Sequence, residues 1–149
     1  MFAVPDNTVA LPADRIDAHP VRLATAYARD SERWTGLLRY DPDARVTTLL
    51  EESGAYQVWL MTWLPGQHTD LHDHGGASGA FTVVRGALWE RVLRDRAGQP
   101  VEVSHDLVAG QSRVFGPGYT HQVTGIGAEP AVSIHVYRPL RSMRAVGER

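Results

Sequence analysis

The chain has 149 residues, enough for one domain with a sizeable core and too few to expect two. With 43% hydrophobic residues, 21% charged residues and a formal charge of -2, it carries no electrostatic footprint for nucleic acid or an anionic membrane. It contains no cysteine, which excludes disulfides, iron–sulfur clusters and thiolate ligands, so any metal must be held by His, Asp, Glu or backbone oxygen.

The opening "MFAVPDNTVALPADR" has no basic stretch followed by an apolar one, so we expect no secretory signal and a cytoplasmic protein. No apolar run approaches the roughly 20 residues that span a bilayer. Residues 1–12 read as an extended arm, since Pro5 and Pro12 discourage helix. Helical composition runs from about Ala13 to Leu38 and is interrupted at His19-Pro20. Pro20 suits the first turn of a helix over "PVRLATAYARD", and Asp30 or Ser31 could cap a third, short one.

After Asp41-Pro42 the texture changes. "RVTTLL", "AYQVWLMTWL", "GAFTVVRGALWERVLRD", "QPVEVSHDL", "QSRVFG", "HQVTGIG" and "AVSIHVYRP" are rich in Val, Thr and aromatics. Gly, Pro and Asp punctuate them at a spacing of about ten residues, as in an all-β sandwich or barrel. "DRAGQP" predicts a hairpin turn, and Gly86 within an apolar run predicts a bulge or sharp bend. The basic tail after Leu140 is expected to fray. The prediction is therefore a mainly β chain forming one domain over 1–149. A helical N-terminal region, 1–40, packs on a β-barrel of seven or more strands, 44–139, and a flexible tail covers 140–149. A barrel of that size can hold one small ligand or a metal in its mouth.

"LPGQHTDLHDHGGASGAF" gathers three of the seven histidines, His68, His72 and His74. Side chains at i and i+2 of a strand share a face, so His72 and His74 would project together. A reactive metal site needs a third ligand and open positions. The best candidate is His121, presented after the turn in "GPGYTHQV". An isolated histidine is ordinarily a satisfied core or surface residue. An HxH pair with a third histidine beyond a Gly-Pro turn is not the ordinary case. His68 is expected at the surface or in support of the site, His105 exposed beside Asp106, and His19 structural or solvated.

Ser133, His135 and Tyr137 form a second row at i, i+2 and i+4, with Val132, Ile134 and Val136 on the opposite face. Two readings are open. The polar face meets solvent, or it lines the interior as a hydrogen-bonded series in which Ser133 sets the His135 tautomer and His135 steadies Tyr137. A metal site nearby favours the buried series.

With these residues in view, "PG…HDHG…G…F…VV.GAL.E", "G..H.V" and "S.H.Y.P" resemble the cysteine dioxygenase family, thiol dioxygenases of the cupin superfamily. The resemblance covers roughly Thr47 to Pro139 and implies a cupin-type jelly-roll β-barrel. Gly66, His72, His74 and Gly86 meet the first cupin signature. The usual Glu ligand is missing, with Ser78 and Gly79 where it would fall, as is typical of thiol dioxygenases. The resemblance implies that His72, His74 and His121 are the ligands of Fe(II), and that Ser133, His135 and Tyr137 act beside it. It implies oxidation of L-cysteine to cysteine sulfinic acid, with a small thiol and O2 as partners.

Two departures qualify it. Animal members carry a cysteine cross-linked to the active-site tyrosine where this chain has Gly79, as many bacterial members do. The family's carboxylate-binding arginine, nine residues before the aromatic matched to Tyr56, falls on Thr47. Arg45, two residues earlier on the same strand face, is the candidate in its place. With Thr47 there and Arg138 after Tyr137, 3-mercaptopropionate or another small thiol is the alternative substrate. A non-catalytic metal- or metabolite-binding cupin and a zinc or manganese isomerase are alternatives of other classes, and neither needs an oriented phenol. We expect a monomer or small homo-oligomer.

Overall fold

His19 and Pro20 start the first element, α1 (Pro20–Arg29), as the sequence predicts: Pro20 occupies the first turn, and the backbone N–H of Val21 donates to His19 Nδ1 at 3.1 Å. The structure, a computed structural model, describes residues 19–138 and the backbone of residues 144–145. The predicted arm over 1–12, the helical start from Ala13 and most of the tail after Leu140 lie outside the described residues. Pro20, Leu23, Ala24 and Tyr27 are the buried residues of α1, a spacing that makes a single apolar stripe. Burying Leu23 alone stabilises by about 2 kcal/mol. The Trp34 indole donates to the Tyr27 carbonyl at 2.8 Å, satisfying one of the helix's last acceptors. The third helix expected after Asp30 is replaced by two 3₁₀ turns, Ser31–Arg33 and Thr35–Leu37, and Asp30 makes no side-chain cap.

Ten strands follow: β1 (Val46–Glu52), β2 (Gln57–Trp63), β3 (His72–Asp73), β4 (Ser78–Arg85), β5 (Ala87–Arg96), β6 (Gln99–Val108), β7 (Ser112–Phe115), β8 (Thr120–Ile126), β9 (Ala131–Arg138) and β10 (Arg144–Ala145). They form two antiparallel five-stranded sheets, ordered β1-β2-β9-β4-β7 and β10-β3-β8-β5-β6. The expected barrel is thus a jelly roll of two hydrogen-bonded ladders, not one closed ladder. Part of the tail, Arg144 and Ala145, pairs with Asp73 and His72.

Gly86 shows why the ladders separate. The β4–β9 register shifts between Val83 and Arg85, and Gly86, at φ 73°, carries the chain from the first sheet into the second. A Cβ there would lie 2.6 Å from the Pro130 carbonyl oxygen, so only glycine makes this corner. The predicted hairpin joins β5 to β6 through Ala97 and Gly98, both at positive φ (54° and 80°), as a two-residue primed turn demands.

The core has two layers. Between α1 and the outer face of the first sheet lie Leu23, Ala24, Tyr27, Val58, Leu60, Val132, Ile134 and Val136. Between the sheets lie Met61, Trp63, Phe81, Val83, Leu88, Phe115, Val123 and Tyr137. β9 therefore sends its aliphatic row to the helix and its polar row into the interior. No helix among the described residues is long and apolar enough to cross a membrane.

Candidate metal centre

His72 faces His121 directly across the β3–β8 pairing, and His74 follows two residues on. Adjacency in sequence supplies one pair, with His74 just beyond the end of β3, and cross-strand register supplies the third member. All three are buried, and their candidate ligand atoms lie within 4.8 Å of one another. The His72 and His74 Nε2 atoms are 3.2 Å apart.

Hydrogen-bond partners fix two of the tautomers. His72 Nδ1 lies 2.6 Å from the Asp70 carbonyl oxygen, which can only accept. His121 Nδ1 lies 2.7 Å from Glu90 Oε2. In both rings Nδ1 carries the proton and Nε2 keeps its lone pair. Convergent, desolvated imidazole lone pairs repel one another unless a cation lies between them. The donor set therefore fits a divalent metal ion, held by nitrogen alone.

Glu90 has no exposed surface, yet sequence reading missed it. The signal is in "LWERV": Leu88, Glu90 and Val92 share the buried phase of β5, so a carboxylate occupies an apolar row. Arg113 Nε donates to Glu90 Oε1 at 2.9 Å and the Tyr119 hydroxyl donates to Oε2 at 3.0 Å. Burial opposes ionisation of Glu90, but the hydrogen bonds from His121, Arg113 and Tyr119 outweigh it and hold the carboxyl below its usual value. Burial and the neighbouring Glu90 charge push the Tyr119 phenol up to about 12, so it stays a neutral donor.

The Ser133, His135, Tyr137 row is buried, with exposures of 0%, 4% and 3%, which decides between interior series and solvent face. The Trp63 indole donates to Ser133 Oγ at 2.9 Å, and Ser133 Oγ lies 2.7 Å from His135 Nε2. Trp63 can only donate, so Ser133 Oγ accepts that bond, and its second contact, with His135 Nε2, ties the ring to the same series. The rings of His135 and Tyr137 are 6.4 Å apart and close to parallel, at 24°. Tyr137 lies against His74, with ring centres 4.9 Å apart, and Phe81 stacks on His135 at 4.9 Å. Trp63, like Glu90, is a site residue that sequence reading did not single out.

One small cavity is lined by His72, His121, His135 and Tyr137 together with Arg45, Met61, Trp63, Thr69 and Val123. Arg45 is half-buried; its Nη1 is 3.4 Å from Met61 Sδ and its guanidinium lies 5.3 Å from the Trp63 ring centre. Thr47 is exposed in an outer groove with Asp43 and His68. Arg138, on the opposite face of β9 from Tyr137, lines a different groove with Ser78 and Gly79. His68 is exposed and bridges Thr124 through its backbone. His105, expected to be exposed, is half-buried because it pairs with Glu90 across β5 and β6.

Gly79 sits between Phe115 and Tyr137 in the register of its sheet. A Cβ there would overlap the Val136 carbonyl oxygen and come within 2.6 Å of Phe115 Cζ. Phe115, stacked on His74 at 4.8 Å, already occupies the space a side chain would need. Gly79→Ala is expected to cost about 1–3 kcal/mol, the range for overpacking, read as a lower urea midpoint at unchanged m-value. An unchanged midpoint would show that both Phe115 and the Val136 backbone yield freely.

Two facing sheets enclosing a three-histidine group able to hold a metal define a cupin-type jelly roll with a candidate metal centre. The chain belongs to the cysteine dioxygenase type I family, whose model matches residues 10–149. Human cysteine dioxygenase type 1 is 24% identical over 138 residues, covering 85% of this chain and 67% of that one. The Danio rerio enzyme is 23% identical over 147 residues, covering 92% and 73%. A conserved Klebsiella pneumoniae protein with a double-stranded β-helix domain shares the fold, at TM-score 0.58 and 20% identity over 76% of this chain and 94% of its own.

Proposed function

We propose that this protein is an Fe(II)-dependent thiol dioxygenase that converts L-cysteine and O2 to cysteine sulfinic acid. The observation that carries this reading is the all-nitrogen group His72, His74 and His121, two of whose members, His72 and His121, line the same cavity as Tyr137 and Arg45. His72, His74 and His121 would hold a divalent ion without neutralising its charge, which suits an anionic sulfur substrate. When bound, the metal supplies the redox chemistry: it favours the thiolate form of the substrate and couples it to O2. The atoms balance, since RSH and O2 give RSO2H with both oxygens on sulfur.

The chain's own residues do the rest. Arg45 receives the substrate carboxylate, a match for its planar pair of donors. Met61, Trp63 and Val123 exclude water from the reacting end of the cavity. Tyr137 directs its hydroxyl at the bound substrate or oxygen, and the Trp63–Ser133–His135 series keeps the adjoining wall in one arrangement.

The test is oxygen consumption by iron-loaded protein with cysteine, 3-mercaptopropionate and cysteamine. We expect one O2 consumed per thiol and a sulfinate product, with cysteamine poor because it lacks the carboxylate. Arg45→Gln should raise KM for cysteine by about 10- to 100-fold, the scale of a hydrogen bond to a charged group. Preference for 3-mercaptopropionate would reassign the substrate. No thiol-dependent O2 uptake at all would leave a metal-binding cupin without this activity.

A further inference from the structure

We propose that Glu90 is a positioning residue of this centre, a buried carboxylate that aims and polarises His121 and so sets how tightly the metal is held. The inference rests on reading His72, His74 and His121 as the ligands.

The two imidazoles with assigned tautomers are not equivalent. His72 donates its Nδ1 proton to a neutral backbone carbonyl, that of Asp70, at 2.6 Å. His121 donates to a carboxylate at 2.7 Å. A hydrogen bond to an anion draws the ring proton away and makes the opposite nitrogen the stronger donor. The three candidate ligands offer nitrogen alone, but a carboxylate is returned one bond further out, on the far side of His121.

Glu90 is itself held at three points. Oε2 takes His121 Nδ1 and the Tyr119 hydroxyl, and Oε1 takes Arg113 Nε. Arg113 Nη2 in turn donates to the Tyr119 oxygen at 3.3 Å. The three partners come from β8, from the turn before it and from β7 in the other sheet, so the carboxylate also ties the two sheets together behind the ligand. A carboxylate with no exposed surface is expensive to bury. Arg113 offsets that cost and Tyr119 satisfies a further lone pair. A residue needed only to fill the row between Leu88 and Val92 would be better served by an aliphatic side chain.

The test is Co(II) binding by apo-protein, followed by absorption and by competition with a chelator, with near-UV circular dichroism as the check on folding. Glu90→Gln keeps the shape and removes the charge. We expect Co(II) affinity to fall roughly 10- to 100-fold, the range for outer partners of ligating histidines, and the cobalt absorption bands to shift. If the single variant does not fold, Glu90→Gln combined with Arg113→Gln restores a paired amide and carries the same expectation. A folded variant with wild-type affinity and wild-type bands would overturn the proposal, because a packing role alone would lower stability without moving either. Wild-type protein that binds no Co(II) would remove the metal reading and this one with it. Wild-type binding without thiol oxidation would leave the Glu90 assignment standing and defeat only the dioxygenase reading.

Discussion

His72→Ala is expected to lose metal and activity together. Its ring is buried, faces His121 across the pairing, and has Nε2 3.2 Å from that of His74. Among the described residues no fourth His, Asp or Glu belongs to the group, so the variant keeps only two of its ligands. Affinity should fall by more than the roughly 100-fold ceiling for outer partners of a ligand. The same substitution removes metal-dependent stability. A ligand at a hundred times its Kd stabilises a fold by about 2.7 kcal/mol. Wild-type protein should therefore melt higher with metal than without, and the variant should melt alike in both. Metal analysis by mass spectrometry and paired thermal scans check this. A variant that retains one equivalent of metal would show that His72 is not a ligand.

Tyr137→Phe is expected to separate chemistry from binding. Tyr137 is 3% exposed and packs on His74 and Phe115, with ring centres 4.9 and 5.8 Å away. Removing only the hydroxyl leaves that packing and opens no cavity. If the phenol directs a proton or hydrogen bond at the reacting atoms, kcat should fall about 100-fold, the lower end of positioned acid–base catalysis. Metal content and the melting temperature should not change. Steady-state kinetics beside metal analysis distinguish the cases: iron lost from the variant would mean that the tyrosine's place is with the ligands.

Much of this arrangement is legible in the chain. The absence of cysteine leaves only nitrogen and oxygen donors. Two-residue periodicity puts His72 with His74, and Ser133 with His135 and Tyr137, before any contact is known. The same periodicity sends Val132, Ile134 and Val136 toward the helix, whose own stripe of Leu23, Ala24 and Tyr27 receives them. Ala97-Gly98 and Gly86 announce their turn and corner because their backbone conformations are local.

What local pattern does not carry is which strands meet, and in what register. His121 belongs with His72 because β8 pairs with β3, a choice made across almost fifty residues of intervening chain. Arg45 and Thr47 share the outer groove, but only Arg45 also lines the inner cavity, because its guanidinium lies beside Trp63 where the chain enters β1. Glu90, Arg113 and Tyr119 look like unrelated polar residues until β5, β7 and the turn before β8 converge. The sequence by itself determined the chemistry available and the faces on which it is displayed, since both follow from residue type and strand period. Only the tertiary structure decided which displayed groups share a site. Closing long loops and choosing one register depend on the packing of both sheets at once, and no short stretch of chain contains that information.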